Sequence, residues 1–169
     1  QAGIEKLKAA GAKVVYGGGA PEVVDADASK GFFVAPTLLR ADAPGEAAAV
    51  HEHEVFGPCS TLMPWTDVDE VVELVSRGGG GLVASVYGDD RKLASELVLA
   101  LAPYSGRILL GTKKVADQAI SPGLVLPSCV HGGPGRAGGG EELGGERGLR
   151  FYMQRCAIQG DRALLDKLV

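Results

Sequence analysis

The stretch His53-Glu54-Val55-Phe56-Gly57-Pro58 combines residue types that could hold a ligand. The carboxylate of Glu54 has two acceptor oxygens, which can take hydrogen bonds from both hydroxyls of one ribose ring. Phe56 could lie against a bound ring or close the site, while Gly57 and Pro58 fix the turn that positions both side chains. The alternative is a solvated acidic turn with one buried Phe. These few residues alone favour that alternative over a ligand site.

His51 and His53 invite a metal-site hypothesis. Two His residues that are two apart point to the same side only on an extended strand, whereas on a helix they diverge. The third His, His131, is far along the chain, and no Asp-rich partner is evident. Coincidence is therefore the favoured explanation, and we predict no metal.

The run Gly133-Pro134-Gly135-Arg136-Ala137-Gly138 formally matches the Gly-x-Gly-x-x-Gly dinucleotide pattern. That pattern needs a strand immediately before it and a helix that opens at it. The preceding residues, Ser-Cys-Val-His-Gly, do not read as a strand, and more Gly follows. We interpret the run as a ribbon of small residues that lets backbones pass closely.

Cys59, Cys129 and Cys156 are the only thiols of the chain. Their odd number and wide spacing argue against a disulfide framework or a zinc site and favour a reducing cytoplasm. A nucleophilic Cys needs a cationic or helix-N-terminal setting. Only Cys129, two residues before His131, has a candidate partner, and that spacing does not establish a pair. We expect all three thiols to be inert.

Apolar periodicity predicts alternating helices and strands through most of the chain. The expected helices cover residues 4–10, ending at Gly11, then 67–77, opened by the Asp67/Glu70 capping box, and 89–101. The expected strands cover residues 13–16, 32–39, 60–65, 82–87 and 107–110. This order predicts an α/β fold, a mostly parallel sheet with crossover helices.

Two segments depart from that pattern. Pro36 lies inside the 32–39 run, which predicts an edge strand or a bulge there. Residues 111–150 are rich in Gly and Pro, and a loop this long is usually functional or held by a partner. After it we expect a strand at 153–159 and a short helix at 161–168.

Length and charge narrow the possible function. The 169 residues suit one domain or the larger share of one. The formal charge of −4 comes without a Lys/Arg block, so nucleic-acid binding is not expected. No apolar run approaches the length of a membrane-spanning helix, and no signal-peptide pattern is present.

Three blocks together resemble the C-terminal part of an aldehyde dehydrogenase catalytic domain. Residues 31–38, Gly-Phe-Phe-Val-Ala-Pro-Thr-Leu, are similar to the family's Gly-Tyr-Phe-x-x-Pro-Thr run, and residues 53–58 contain its Glu-x-Phe-Gly-Pro signature. Residues 130–145 resemble the branch that oxidises CoA-thioester semialdehydes in aerobic aromatic catabolism. The resemblance covers essentially the whole chain, although the usual Asn near residues 107–111 is missing and residues 113–126 match poorly.

The resemblance implies an enzyme whose Cys thiolate attacks an aldehyde, with hydride transfer to NAD or NADP and hydrolysis of the thioester. That Cys, the general-base Glu and the Rossmann-type half all precede the matched region in the family. By resemblance, Glu54 binds the nicotinamide ribose and Phe56 lies beside the nicotinamide. Pro127, His131 and Gly132 would line the aldehyde pocket.

The resemblance also implies a division of the chain. Residues 1–150 would be the C-terminal portion of the catalytic domain, an incomplete α/β unit. Residues 151–169 would be an oligomerisation strand and a terminal helix, with 155–159 adding to a partner subunit's sheet in a homodimer or higher oligomer. The residues that distinguish NAD from NADP lie outside the matched part, so both cofactors stay open.

A second hypothesis belongs to another class. The chain could be a truncated, non-catalytic paralogue that acts as a structural or subunit-binding module. The coding sequence upstream of Gln1 distinguishes the two hypotheses. A Cys-bearing segment in frame supports the enzyme, whereas a start codon at Gln1 supports the module.

Overall fold

The computed structural model describes residues 1–118, 121, 132–138 and 145–167. The six α-helices of this part are α1 (Ala2–Ala9), α2 (Ala48–Glu52), α3 (Val68–Arg77), α4 (Arg91–Leu101), α5 (Gly145–Phe151) and α6 (Arg162–Leu165). Its five strands are β1 (Lys13–Gly17), β2 (Thr37–Arg40), β3 (Cys59–Leu62), β4 (Gly81–Tyr87) and β5 (Ser105–Gly111). Within the described residues, no helix has the length and apolar content needed to cross a membrane.

The strands form two separate sheets. In the first, β2 pairs antiparallel with β1 and parallel with β3; in the second, β4 and β5 are parallel. Each parallel pair is connected through a helix, α2 in the first case and α4 in the second. The predicted α/β architecture with crossover helices is therefore confirmed, and its strands are divided between two sheets.

The expectation that Pro36 marks an edge strand is wrong. β2 is the central strand of its sheet, and it begins at Thr37, one residue after the proline. The missing proline N–H therefore falls outside the strand ladder, where it costs no hydrogen bond. The irregularity lies in the neighbouring strand, where the register shifts between Val14 and Tyr16.

Local capping signals account for several helix ends. Gly11, two residues after the end of α1, has φ +101°, a conformation that glycine adopts without a Cβ penalty. The Asp67 carboxylate accepts the Glu70 N–H at 2.9 Å, which confirms the predicted start of α3. The Glu70 carboxylate accepts the N–H of Thr66 at 2.7 Å, one residue earlier than in a standard capping box. The Asp90 carboxylate caps α4 by accepting the N–H groups of Lys92 and Leu93.

Leu39 on β2 is the centre of the core under the first sheet. Its side chain is fully buried, and it clusters with Leu7 of α1 and Ala12. Partly buried apolar residues pack against this cluster; they are Ile4, Val50, Val55 and Cys59. α1, α2 and the segment after α2 are therefore held on one core.

Residues 132–138, here called the Gly ribbon, contact the second sheet backbone to backbone. A Cβ on Gly106 of β5 would lie 1.6 Å from the carbonyl oxygen of Gly132. A Cβ on Gly80, just before β4, would lie 2.0 Å from the carbonyl oxygen of Pro134. Real Cβ atoms do not tolerate such distances, so the ribbon can lie here only because glycine faces it.

The C-terminal part differs from the sequence expectation. α5 (Gly145–Phe151) lies within the stretch expected to be irregular, and a Glu146–Arg150 ion pair spans one of its turns. The expected strand at 153–159 is not formed by this chain, because residues 154–160 pair with no strand in the described part. A strand that serves a neighbouring subunit would have no ladder within its own chain. α6 begins after the cap Asp161 and is shorter than expected.

We expect Leu39→Ala to destabilise the protein that carries this chain. Removing a fully buried leucine side chain loses its transfer free energy and leaves a cavity, at a cost of about 2–5 kcal/mol. Chemical denaturation of the full-length protein measures the change. The matched control is Leu164→Ala on the exposed face of α6. Equal effects of the two substitutions would contradict the assignment of Leu39 to the core.

We also expect Gly106→Ala to displace the Gly ribbon. The added methyl group meets backbone that cannot move away on its own, and overpacking of this kind costs about 1–3 kcal/mol. Trypsin cleavage after Arg136 in the full-length protein should become faster. Gly19→Ala is the control, because nothing lies within 4 Å of a Cβ there. An unchanged cleavage rate in Gly106→Ala would show that the ribbon does not depend on this contact.

Candidate functional site

The segment between α2 and β3 alternates between inward and outward side chains. A Cβ on Gly3 of α1 would lie 3.0 Å from both His53 Nε2 and Val55 Cγ2, so these two side chains face α1. Val55 also packs against the core cluster. Glu54 is exposed, and Phe56 is 93% exposed. In extended chain, residues two apart share a side, so Glu54 and Phe56 point away from the core together.

The exit from this segment is tied to the first sheet. Gly57 has φ +149°, a conformation that L side chains rarely adopt, and its carbonyl accepts the Cys59 N–H at 2.8 Å. The carbonyl of Pro58 accepts the N–H of Thr37, the first residue of β2, at 2.8 Å. The turn is thus joined to β2 by a backbone hydrogen bond before the chain enters β3.

Glu54 and Phe56 have the chemistry and the freedom that a bound ribose and nicotinamide require. Throughout the part of the chain that the structure describes, no donor engages the Glu54 carboxylate. Both of its oxygens are open to a pair of hydroxyl groups. The exposed ring of Phe56 offers an apolar face on the same side. These residues fit the predicted nicotinamide–ribose end of a dinucleotide.

The two histidines near this turn have separate partners. His51 Nε2 lies 2.8 Å from the carbonyl oxygen of Pro44, whereas the His53 ring faces Gly3 of α1. Among the described residues, no group of three or more His, Cys, Asp or Glu side chains could hold a metal ion. His131 lies outside those residues.

The Gly-x-Gly-x-x-Gly run folds back on itself. The N–H of Gly133 donates to the Gly138 carbonyl at 2.8 Å, and the N–H of Arg136 donates to the Gly79 carbonyl at 2.9 Å. Only a single 3₁₀ turn, Gly135–Ala137, forms within the run. These N–H groups are already bonded, so they are not available to a pyrophosphate. The interpretation as a close-packing ribbon is confirmed.

Arg136 joins the Gly ribbon to the segment that carries Glu54. Its Nη1 donates to the carbonyl oxygen of Glu52, the last residue of α2, at 3.1 Å. Sequence reasoning gave this residue no role. The available signal was a single cation within a run that otherwise contains only Gly, Pro and Ala.

The predicted aldehyde-pocket residues are only partly described. Gly132 is buried, with its carbonyl against Gly106 of β5. Pro127 and His131 lie outside the described residues. The structure therefore brings Glu54 and Phe56 together and connects their segment to the ribbon that Gly132 begins. The assignment of the three residues to a substrate pocket stays a prediction.

The described thiols have different surroundings. Cys59 opens β3 and is partly buried against the Leu39 cluster, while Cys156 is exposed. Cys129 lies outside the described residues. No role as a nucleophile follows from the position of Cys59, since its surroundings are those of a small core side chain.

A cavity of about 550 Å³ lies away from Glu54, between α4 and the carboxyl ends of β4 and β5. Its lining is largely apolar and includes Val86, Ala94, Val98, Leu99 and Leu110. Leu99 is 78% exposed there. An apolar concavity of this kind suits the packing of further protein as well as a ligand, and it contains none of the predicted site residues.

Comparison with known proteins gives matches along nearly the whole chain. The sequence profile of the aldehyde dehydrogenase family matches residues 1–158. Protein MaoC of Klebsiella aerogenes is 44% identical over 166 residues, 98% of this chain and 48% of that protein. The 3,4-dehydroadipyl-CoA semialdehyde dehydrogenase of Aromatoleum evansii is 43% identical over 133 residues, 78% of this chain and 26% of that protein.

A solved structure agrees with these matches. The crystal structure of a betaine aldehyde dehydrogenase double mutant from Staphylococcus aureus, in complex with NAD+, superposes with a TM-score of 0.68 at 26% identity. The similarity covers 88% of this chain and 27% of that one. The chain thus spans about half the length of MaoC and about a quarter of the other two proteins. It belongs to the aldehyde dehydrogenase family.

Proposed function

We propose that this chain is part of an NAD(P)-dependent aldehyde dehydrogenase that oxidises an aldehyde to the acid through a Cys thioester. Residues 1–150 form the C-terminal portion of the catalytic domain, and residues 151–169 form the oligomerisation strand and terminal helix. The nucleophile lies outside this chain. The contribution of the described residues is to hold the nicotinamide end of the cofactor.

One observation carries this proposal. Glu54 and Phe56 point outward from the same extended segment. His53, which precedes Glu54, and Val55, which lies between Glu54 and Phe56, face α1, and Val55 also packs against the core. The inward pair fixes the backbone, and the fixed backbone presents a carboxylate and an aromatic ring side by side. That pair of groups can bind a ribose diol and the adjoining nicotinamide.

The cofactor, when bound, accepts the hydride from the substrate carbon. Glu54 would accept hydrogen bonds from the two ribose hydroxyls and thereby limit rotation about the sugar. Phe56 would cover one face of the nicotinamide ring and exclude water from it. Both effects act on the position of the ring, and small displacements of reacting groups slow a reaction strongly.

The uncovered surface of the second sheet supports membership of a larger catalytic domain. Parallel strands are usually buried on both faces, and more than half of the side chains of β4 and β5 are apolar. Leu82, Tyr87 and Leu110 on these strands are nevertheless 44%, 67% and 50% exposed. We propose that the remainder of the catalytic domain packs on this surface.

We further propose a homodimer or higher oligomer in the cytoplasm. Residues 152–160 are exposed, and 154–160 have no strand partner in the described chain. An unpaired segment of this length can add as a strand to a neighbouring sheet. The cytoplasmic location rests on the three scattered cysteines.

Glu54→Gln in the full-length enzyme should slow hydride transfer and weaken cofactor binding. The substitution replaces charge-assisted hydrogen bonds worth about 1.5–3 kcal/mol by weaker neutral ones, which corresponds to a loss of roughly 10- to 100-fold. Pre-steady-state reduction of NAD(P)+ measures the hydride step, and a deuterated aldehyde confirms that this step is observed. Alkylation of the nucleophile without cofactor should proceed at the wild-type rate.

The control is Glu46→Gln, which makes the same chemical change at an exposed position outside the turn. Normal hydride transfer and cofactor affinity in Glu54→Gln would refute the ribose-binding role. A normal hydride burst followed by accumulation of acyl-enzyme would instead identify Glu54 as the general base.

A CoA-linked semialdehyde is the substrate class that we propose. The support is the resemblance of residues 130–145 to the branch that oxidises such substrates, together with the 43% identity to a protein named for a CoA-linked semialdehyde. No residue that would bind CoA is identified in the described chain, so the proposal concerns the substrate class alone.

A panel of aldehydes tests this substrate class. We expect the full-length enzyme to reduce NAD(P)+ with a higher kcat/KM for CoA-linked semialdehydes than for free semialdehydes of the same chain length. Matched pairs with and without CoA isolate the contribution of the thioester. Equal values within each pair would show that CoA is not recognised, while leaving the aldehyde dehydrogenase activity established.

A further inference from the structure

We propose that Arg136 is a positioning residue for Glu54, through the carboxyl end of α2. This inference rests on the proposed function, since it assigns Arg136 a part in holding residues 53–58, here called the cofactor turn, in place. It concerns a residue that contacts neither cofactor nor substrate in the proposed arrangement.

The first step is the way in which the second sheet holds Arg136. Its main-chain N–H donates to the carbonyl of Gly79 at 2.9 Å, two residues before β4. The Cδ of its side chain would lie 3.5 Å from a Cβ on Gly79, so the aliphatic stem lies along the same backbone. The neighbouring Gly135 could not carry a side chain either, since a Cβ there would lie 2.1 Å from the Gly79 carbonyl oxygen. The base of the Arg136 side chain is therefore fixed.

The second step is the target of the guanidinium. Nη1 reaches the carbonyl oxygen of Glu52 at 3.1 Å. Glu52 ends α2, and the last carbonyls of a helix have no partner within it. A cation at this end satisfies one of them and interacts favourably with the partial negative charge there. Arg136 thus caps α2 from a segment that is 84 residues away in sequence.

The third step is the short connection to the site. Glu54 follows Glu52 by two residues, and His53 between them bonds back to the Ala49 carbonyl at 3.0 Å. The end of α2 therefore sets the starting point of the extended segment that presents Glu54. Arg136 fixes this starting point against the second sheet, while Val55 fixes the segment against the Leu39 core under the first sheet.

The consequence is a connection between two halves of the proposed active site. The Gly ribbon begins at Gly132, one of the predicted pocket residues, and the hydrogen bond from Arg136 to Glu52 joins the ribbon to the cofactor turn. If that connection is lost, the carboxylate of Glu54 samples more positions, although the thiol chemistry elsewhere is unaffected.

A double-mutant cycle in the full-length enzyme tests the inference. Arg136→Met keeps most of the side-chain volume and removes the donor, and we expect hydride transfer to slow roughly tenfold and cofactor affinity to fall. Arg136→Lys should restore part of both. Because Arg136 acts through Glu54, the double variant Arg136→Met/Glu54→Gln should be little slower than Glu54→Gln alone.

The outcomes separate the two proposals. If the two substitutions are additive, or if Arg136→Met leaves hydride transfer and cofactor affinity unchanged, the positioning role is refuted and the role of Glu54 stands. If Glu54→Gln alone has no effect, the proposed function fails instead. Lys92→Met, on the exposed face of α4, controls for the loss of one cation. If the Arg136→Met protein does not fold, Arg136→Gln and Arg136→Lys can each be combined with Glu54→Gln instead. Additive effects on hydride transfer in those combinations would refute the positioning role equally.

Discussion

Backbone contact between the Gly ribbon and the amino ends of β4 and β5 is the constraint on which the site depends. At Gly106 and Gly80 a single methyl group would lie 2.0 Å or less from a carbonyl oxygen of the ribbon. The contact is therefore possible only with hydrogen in place of a side chain on the sheet. It fixes the ribbon at the amino ends of both strands, and from there Arg136 reaches the end of α2. The close approach thus sets the position from which the Arg136 side chain extends to the Glu52 carbonyl.

The turn before β3 obtains its geometry from the packing of its side chains as well as from backbone hydrogen bonds at its two ends. Val55 belongs to the surroundings of the Leu39 cluster, and His53 faces α1 at Gly3. Because side chains alternate along an extended chain, Glu54 and Phe56 then point outward. The carboxylate and the aromatic ring are consequently left without partners in the described chain and remain open to a ligand.

Local signals in the sequence predict the local structure well. Gly11 ends α1, Asp67 begins α3, and the periodic apolar residues of α4 place it within two residues of its observed start. Partners that are distant in sequence were not predictable in this way. β2 is central only because β1 and β3 pair on its two sides, and β5 begins at Ser105 because that residue pairs with Gly81. The hydrogen bond from Arg136 to Glu52 was unpredictable for the same reason, since no residue near either partner in sequence indicates that the two lie close together.

The register of the first sheet links stability to the site. Thr37 pairs with Cys59 and Leu39 with Thr61, and the Pro58 carbonyl oxygen accepts the Thr37 N–H as the ladder begins. Because side chains alternate along a strand, a slip of one residue would move Leu39 from the core to the opposite face. The same slip would separate Pro58 from Thr37 and shift the whole turn. Burial of Leu39 therefore selects the register that also places Glu54 and Phe56, so the core residue and the segment that carries these two side chains are determined by one pairing.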